Sequence, residues 1–237
     1  MKKTIIRIIC IFILILSICL ITIYTDMTQN SAMDTFLRFN RKIDIEKITI
    51  DSDKDEDGIL DLDDIVEGAR KEAEAKPKYK DAYYSGGYPP ENEGVCTDVI
   101  WRAFKNAGYD LKNMVDEDIK HNVSDYPRIY ATGETPDPNI DFRRVQNLTI
   151  FFKKYAAQLT TEIILWDAEN LREWQGGDIV VFALPYEHIA IVSDKRRNDG
   201  VPYMIHNGGP YATESDMLLR WHRNISPIIH HFRFPKQ

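Results

Sequence analysis

The sequence predicts an α+β domain in which a helix that begins with a cysteine packs against an antiparallel sheet. Residues 96–107 place apolar side chains at i, i+3, i+4, i+7, i+8 and i+11, which is the spacing of one helix face. Residues 176–184 and 188–194 are apolar runs typical of buried strands. The Asp-Gly pair at 199–200 then predicts a hairpin that returns through residues 201–209.

The first 24 residues predict a membrane anchor. Two lysines precede an almost wholly apolar run at residues 4–24, and about 20 such residues span a bilayer. A cleaved signal peptide has a shorter apolar region and a small-residue cleavage site, which the residues after Tyr24 do not offer convincingly. Basic residues before the span predict a single-pass protein of the cell membrane with its C-terminal domain outside. If the leader is cleaved instead, the protein is secreted.

The rest of the chain is acidic and contains one cysteine. The formal net charge of the 237 residues is −7, which argues against nucleic acid as a partner. An exported domain with a single thiol forms no internal disulfide, which fits a Gram-positive bacterium. We expect a linker or stalk at residues 25–50, an acidic loop at 51–64 and one domain at 65–237, although alternating isoleucines after residue 42 also fit a short strand.

The acidic loop has the spacing of a calcium site. Carboxylates at loop positions one, three and five, a glycine at six and an apolar residue at eight match the D-x-D-x-D-G pattern, and it resembles the loops of dockerins and thrombospondin type 3 repeats. A solvated acidic linker usually lacks that glycine and that apolar residue. We predict a structural Ca²⁺ site with these ligands: Asp53, Asp55, Asp57, the carbonyl of Ile59, Asp61 and Asp64.

Cys96 opens the helical stripe, and two interpretations are open. A cysteine on an apolar face is commonly a small buried hydrophobe. Alternatively, the N–H groups and dipole at the helix N-terminus stabilise a thiolate, which then needs a base.

His188 is the candidate base because it stands where an apolar strand begins. Antiparallel pairing across the hairpin brings the end of the return strand beside it. A register that pairs His188 with His206 makes His206 its neighbour, and a one-residue slip gives that place to Asn207. The six-residue turn does not decide between them.

The combined pattern resembles the papain-like cell-wall hydrolases of bacteria, the NlpC-type and CHAP amidohydrolases. The segments that carry this resemblance are "GDIVVF", "HIAIVSD" and "MIHN". The chain also resembles the bacterial domain of unknown function 1287 family through "GVCTDVIWRAFKNAGYDL", "NIDFRRVQNLTIFFKK", "IHNGGP" and "HHFRF". One departure is Phe142, where that family is expected to have a histidine.

The resemblance implies a papain-like, NlpC-type fold and a cysteine peptidase or amidase. It implies Cys96 as the nucleophile, His188 as the base, and His206 or Asn207 as the group that orients the imidazole. No cofactor is expected for catalysis.

Two further segments are candidates for substrate binding. Asp141, Arg143 and Arg144 lie in a short polar span where arginine could recognise the carboxylates of a stem peptide. A capping segment with a solvated basic pair has the same composition. Tyr88, in the loop before Cys96, either lines the substrate groove or anchors the loop.

The expected function is hydrolysis of an amide in the stem peptide of peptidoglycan by a membrane-anchored enzyme. Three alternatives remain at this stage: an inactive binding module of the same fold, a zinc site formed by Cys96, His188 and His206, and an acyltransferase that uses the same residues. Oligomeric state is not predicted.

Overall fold

The computed structural model describes residues 13–22 and 42–236. The chain divides into two compact units, Met1–Lys42 and Ile43–Gln237. In the first unit, residues 13–22 are helical. No helix in the described ranges has the length and apolar character needed to cross a membrane. The rest of the predicted anchor at 1–24, and the linker up to residue 41, lie outside the described residues.

The second unit combines helices with strands, as the sequence predicts. The helices are α1 (Asp61–Ala75), α2 (Cys96–Asn106), α3 (Leu111–His121), α4 (Pro127–Tyr130), α5 (Val145–Tyr155), α6 (Ala168–Arg172) and α7 (Leu218–Asn224), with 3-10 turns at Val123–Asp125 and Asp141–Arg143. The strands are β1 (Lys78–Tyr79), β2 (Glu93–Gly94), β3 (Ala157–Gln158), β4 (Ile179–Phe182), β5 (His188–Arg196), β6 (Pro202–His206), β7 (Thr213–Ser215) and β8 (Ile228–Arg233).

A six-stranded sheet forms the centre of this unit, in the order β3-β8-β4-β5-β6-β7. Every neighbouring pair in it is antiparallel. The short strands β1 and β2 form a separate parallel pair just before α2. The coarse prediction of an α+β fold with an antiparallel sheet is therefore confirmed.

Each face of the sheet carries its own apolar core. Ile179 and Val181 contribute to a first core with α1, α2, α3 and α5. Val180 and Phe182 contribute to a second core with α6 and α7. Successive side chains of a strand point to opposite faces, so two cores explain why all four residues of β4 are buried.

A buried carboxylate joins the start of β4 to the neighbouring strand β8. Asp178, directly before β4, accepts hydrogen bonds from Nε and Nη2 of Arg233, each at 2.7 Å, and from Nε2 of His231 at 3.0 Å. Nδ1 of His231 lies 2.7 Å from the carbonyl oxygen of Thr160, and its ring stacks on Trp174 at 3.9 Å. Both ring nitrogens of His231 thus lie within hydrogen-bond distance of an oxygen, which fixes the ring between β4 and the segment before α6.

Candidate active site

The N-terminus of α2 places Cys96 against the central sheet. Val95 has an extended backbone, and Cys96 is the first helical residue, as the sequence predicts. Cys96 is partly buried and packs against the first core. The backbone N–H of Ile189 faces the sulfur closely enough to favour the thiolate form. The thiol therefore lies against the residue that directly follows His188.

A buried ion pair holds this end of α2 in place. Arg143 donates from Nε and Nη2 to the two carboxylate oxygens of Asp98, at 2.7 and 2.8 Å, and both side chains are about 1 % exposed. Asp98 also accepts from the backbone N–H of Val95 at 2.7 Å, and from Nε1 of Trp101 at 2.8 Å. Thr97 donates to the carbonyl oxygen of Arg143. We predict a substrate-binding role for Arg143 from sequence, but the structure buries its guanidinium in a support for the cysteine helix.

His188 and His206 contact each other directly. Nε2 of His188 lies 2.8 Å from Nδ1 of His206. The register differs from both predicted ones, because Ile191 pairs with Ile205 and His206 therefore lies opposite Ala190. This shift of two residues from the first predicted register keeps His206 on the same face as His188, and the two side chains meet diagonally.

Aromatic rings enclose the histidine pair. Trp221 lies 4.5 Å from His188 and 5.2 Å from His206, measured between ring centroids, and it also packs against Phe182. A Cβ on Gly208 would lie 3.0 Å from the His206 ring, so glycine leaves room for the imidazole. The helical pattern of the segment around Trp221 does not by itself indicate contact with a strand end.

Burial favours the neutral form of all three candidate catalytic groups. Desolvation raises the pKa of the Cys96 thiol to about 12, although the Ile189 N–H acts in the opposite direction. Desolvation, and then the neighbouring His206, hold the pKa of His188 well below its ordinary value. Desolvation lowers the pKa of His206 to about 4. The resting site is therefore a thiol beside a neutral imidazole pair.

The thiol and the imidazoles approach the end of β5 from different faces. Cys96 belongs to the first core, whereas His188 and His206 lie with Phe182 and Trp221 on the side of the second. None of the hydrogen bonds found within the described ranges joins the sulfur to an imidazole. The resting structure thus lacks the hydrogen bond of a thiolate–imidazolium pair.

Asn207 occupies the opposite side of β6 from the histidine pair. Its Nδ2 donates to the carbonyl oxygens of Pro77 and Gly94, at 3.1 and 3.0 Å. The residue is fully buried. Asn207 therefore fixes the segment that leads to Cys96, and the contact with His188 belongs to His206.

The geometry does not favour the zinc alternative. Among residues 13–22 and 42–236, three potential ligand atoms come within 4.8 Å of one another only in the acidic loop, where all three belong to aspartates. The sulfur of Cys96 and the nitrogens of His188 and His206 do not converge in that way.

The other predicted substrate-binding residues lie in different surroundings. Asp141 is 6 % exposed and accepts hydrogen bonds from the backbone N–H of Asp137 and the side chain of Asn147. It therefore shapes its own loop. Nε of Arg144 is buried, with no hydrogen-bond partner within the described part. Tyr88 packs against Trp101 and lines a cavity of about 470 Å³ between α2 and α3.

The acidic loop preceding α1 is folded compactly. Its three aspartates Asp53, Asp55 and Asp57, here called the acidic trio, offer oxygens that lie within 4.8 Å of one another. Asp53 accepts hydrogen bonds from the N–H groups of Asp57 and Gly58. Gly58 has φ +92°, a conformation that favours glycine, as the motif requires.

The two remaining carboxylates among the predicted ligands, Asp61 and Asp64, differ from each other. Asp61 is 1 % exposed and accepts hydrogen bonds from Ser52, from the backbone of Lys54 and from the hydroxyl of Tyr109. It supports the loop instead of facing an ion, contrary to the sequence prediction. Asp64 is 4 % exposed, and its Oδ2 has no hydrogen-bond partner among the described residues. Desolvation and then the trio's charges raise the pKa of Asp64 to about 6.

Comparison with known proteins places the chain in a family. Residues 66–234 match the family described as domain of unknown function 1287 (DUF1287), well over half of the chain. The chain belongs to the DUF1287 family. It is similar to "Uncharacterized protein YijF" of Escherichia coli (strain K12), with 36 % identity over 176 residues, which cover 72 % of this chain and 80 % of that protein. No solved structure matches.

The DUF1287 match has informative boundaries. It includes α2, β5 and β6, and therefore Cys96, His188 and His206. It begins after Asp64, so the acidic loop precedes the matched region. The loop and the candidate active site can therefore be considered separately.

The buried histidines of this DUF1287 domain predict a loss of stability in mild acid. The difference between the ordinary pKa of 6.5 and about 4 for His206 corresponds to about 3 kcal/mol. The unfolded chain binds more protons than the folded one between these values. Stability is therefore complete above pH 6.5 and falls as the pH drops towards 4.

Urea unfolding of the wild type and of His206→Asn at pH 7 and pH 5 measures this effect. We expect the stability of the wild type to fall by roughly 2 kcal/mol more than that of the variant. The raised pKa of Asp64 has the opposite effect on stability, and this contribution is the same in both proteins, so it cancels in the comparison. The control His121→Asn changes an exposed histidine and should lose as much stability between pH 7 and pH 5 as the wild type does. The same loss in all three proteins would contradict the prediction.

Proposed function

We propose that the chain is a papain-like cysteine hydrolase that cleaves an amide in the stem peptide of peptidoglycan. One observation carries this proposal: the Cys96 sulfur faces the backbone N–H of Ile189, the residue directly after His188, while His206 contacts the imidazole. The order of the elements, a cysteine helix followed by strands with two histidines, supports an NlpC-type fold. The apolar leader supports a position on the outer side of the cell membrane, where peptidoglycan is found.

The hydrogen bond between the histidines selects the nitrogen that reacts. When Nε2 of His188 donates to Nδ1 of His206, Nδ1 of His188 is left with a lone pair. That nitrogen is the proton acceptor of the proposed reaction. His206 orients the ring and sets its tautomer, as the third member of a triad does.

The proposed reaction begins with both groups neutral. The Cys96 thiol transfers its proton to Nδ1 of His188 while the sulfur attacks the carbonyl carbon, and the N–H of Cys96 at the helix N-terminus stabilises the oxyanion. The imidazolium gives this proton to the leaving amine as the C–N bond breaks. Water then hydrolyses the thioester and restores the thiol. Because the sulfur and the imidazole approach β5 from different faces, the first transfer requires a movement at the start of β5 that brings Nδ1 of His188 to the sulfur.

A second candidate, an inactive binding module, is favoured by the burial of the thiol. A thiol whose pKa is raised to about 12 is a poor nucleophile without a base. Alkylation by iodoacetamide at pH 7 distinguishes the two. The hydrolase requires labelling of Cys96 that slows in His188→Ala, whereas the binding module requires slow labelling that the variant leaves unchanged.

Incubation of the full-length chain, in mild detergent, with purified peptidoglycan tests the activity. We expect the wild type to release fragments with new amino groups, identified by mass spectrometry, and Cys96→Ser to release none. Cys19→Ser, in the N-terminal helical segment, is the matched control and should remain active. Identical fragments from the wild type and Cys96→Ser would refute the assignment of the nucleophile, and cross-linked products would indicate acyl transfer.

A further inference from the structure

Two features of the acidic loop indicate a bound cation: the convergence of the trio and the unpaired buried oxygen of Asp64. We propose that the acidic trio and Asp64 bind one Ca²⁺ ion, which fixes the loop to the C-terminal end of α2. This site is independent of the proposed hydrolase activity.

The first feature is the arrangement of the trio itself. Three carboxylates with oxygens within 4.8 Å repel one another unless a cation lies between them. Oxygens on opposite sides of a Ca²⁺ ion, each about 2.4 Å from it, are roughly 4.8 Å apart. The spacing of the trio thus suits Ca²⁺.

The second feature is independent of the trio and concerns Asp64. Its Oδ2 is buried without a hydrogen-bond partner within the described residues, although buried polar atoms are nearly always paired. Asp64 stands at loop position twelve, whose carboxylate closes a loop of this type around calcium. An ion between Asp64 and the trio would supply the missing partner.

The chemistry of the donors selects the ion. All proposed side-chain ligands are carboxylates, the donors that hard cations prefer. Mg²⁺ demands near-ideal octahedral geometry and keeps several waters, whereas Ca²⁺ accepts irregular oxygen cages. Asp61 does not join the cage because Ser52, Lys54 and Tyr109 already occupy its oxygens.

The loop is attached to the far end of the cysteine helix by three contacts. A Cβ on Gly108 would lie 2.8 Å from Cβ of Asp55, so the loop packs closely on the residues that follow α2. Tyr109 donates to Asp61, and Asn106 donates to the backbone of Asp64 at 2.9 Å. The eleven residues of α2 span about 16 Å. The ion would therefore stabilise the base of the helix that carries Cys96 and would take no part in chemistry.

Calcium titration of the chelator-treated full-length chain, followed by calorimetry and thermal unfolding, tests the site. With a dissociation constant on the order of 10⁻⁴ M, a fifty-fold excess of free Ca²⁺ should raise Tm by roughly 5–9 °C. Asp64→Asn should weaken calcium binding at least tenfold. Asp63→Asn, an exposed neighbour on α1 that pairs with Lys47, is the matched control and should bind as the wild type does.

The Asp61→Asn variant tests whether Asp61 binds calcium or only supports the loop. We expect this variant to unfold at a lower temperature with and without calcium, yet to keep the calcium-induced increase in Tm. Loss of the increase in Asp61→Asn but not in Asp64→Asn would overturn the ligand assignment. Absence of saturable binding by the wild type up to 10 mM Ca²⁺, on the order of ten times the weakest extracellular sites, would overturn the site itself.

Hydrogen exchange tests the link to α2. The amides of Ala107, Gly108 and Tyr109 are hydrogen-bonded at the end of this helix. Calcium should slow their exchange in the wild type and not in Asp64→Asn. Binding without any such change would refute the proposed stabilisation of the helix end.

Discussion

Replacing Asp98 by Asn should lower the free energy of unfolding by about 3–5 kcal/mol, because it leaves a buried guanidinium without its anion. Arg143 donates two hydrogen bonds to Asp98, and neither side chain is accessible to water. The same carboxylate also accepts from Val95 and Trp101. An amide cannot accept from all four groups. Urea unfolding at pH 7 measures the loss.

Asp63→Asn is the control for this change, since it removes an aspartate from an exposed ion pair with Lys47. We expect that control to cost less than about 1 kcal/mol. A double-mutant cycle with Arg143→Met should show strong coupling between Arg143 and Asp98. A stability for Asp98→Asn within 1 kcal/mol of the wild type would contradict the central role of this ion pair.

A second large effect is expected at Asp178. Asp178→Asn should also cost about 3–5 kcal/mol, because Arg233 keeps its charge in a site from which water is excluded. His231 loses its carboxylate partner at the same time. Thermal unfolding of the variant should therefore begin well below that of the wild type.

The matched control for Asp178 lies at the surface of β5. Asp194 is exposed and pairs with Arg70, which keeps Glu67 and Glu214 as partners, so Asp194→Asn should change stability by less than about 1 kcal/mol. If the two variants were equally stable, the proposed importance of the buried carboxylate for the sheet would be refuted.

Local patterns in the sequence account for much of the fold. The apolar stripe after Cys96 predicts α2 because a buried helix face repeats with the helical period. The Asp-Gly turn predicts the hairpin of β5 and β6, and Gly200 adopts φ +86° there. The register was not predictable in the same way, since it depends on an irregularity between Val192 and Arg196.

The candidate site depends more on contacts between distant segments. The spacing of the loop predicts Asp61 and Asp64 equally as ligands. Only the fold shows that the carboxylate of Asp61 already accepts a hydrogen bond from Tyr109. Arg143 is charged and lies in a polar segment, so its burial against Asp98 has no local signal. Trp221 reaches the histidines through the packing of α7 on the sheet, which helical periodicity alone does not reveal.

The bridge made by Asn207 has a consequence for the order in which the polypeptide matures. Its amide binds a carbonyl 113 residues earlier, just ahead of Cys96. During synthesis the cysteine segment therefore emerges from the ribosome long before the strand that receives it. A nascent or terminated chain that ends before residue 188 carries the thiol but neither histidine, so any reactivity begins only after β5 and β6 have been made.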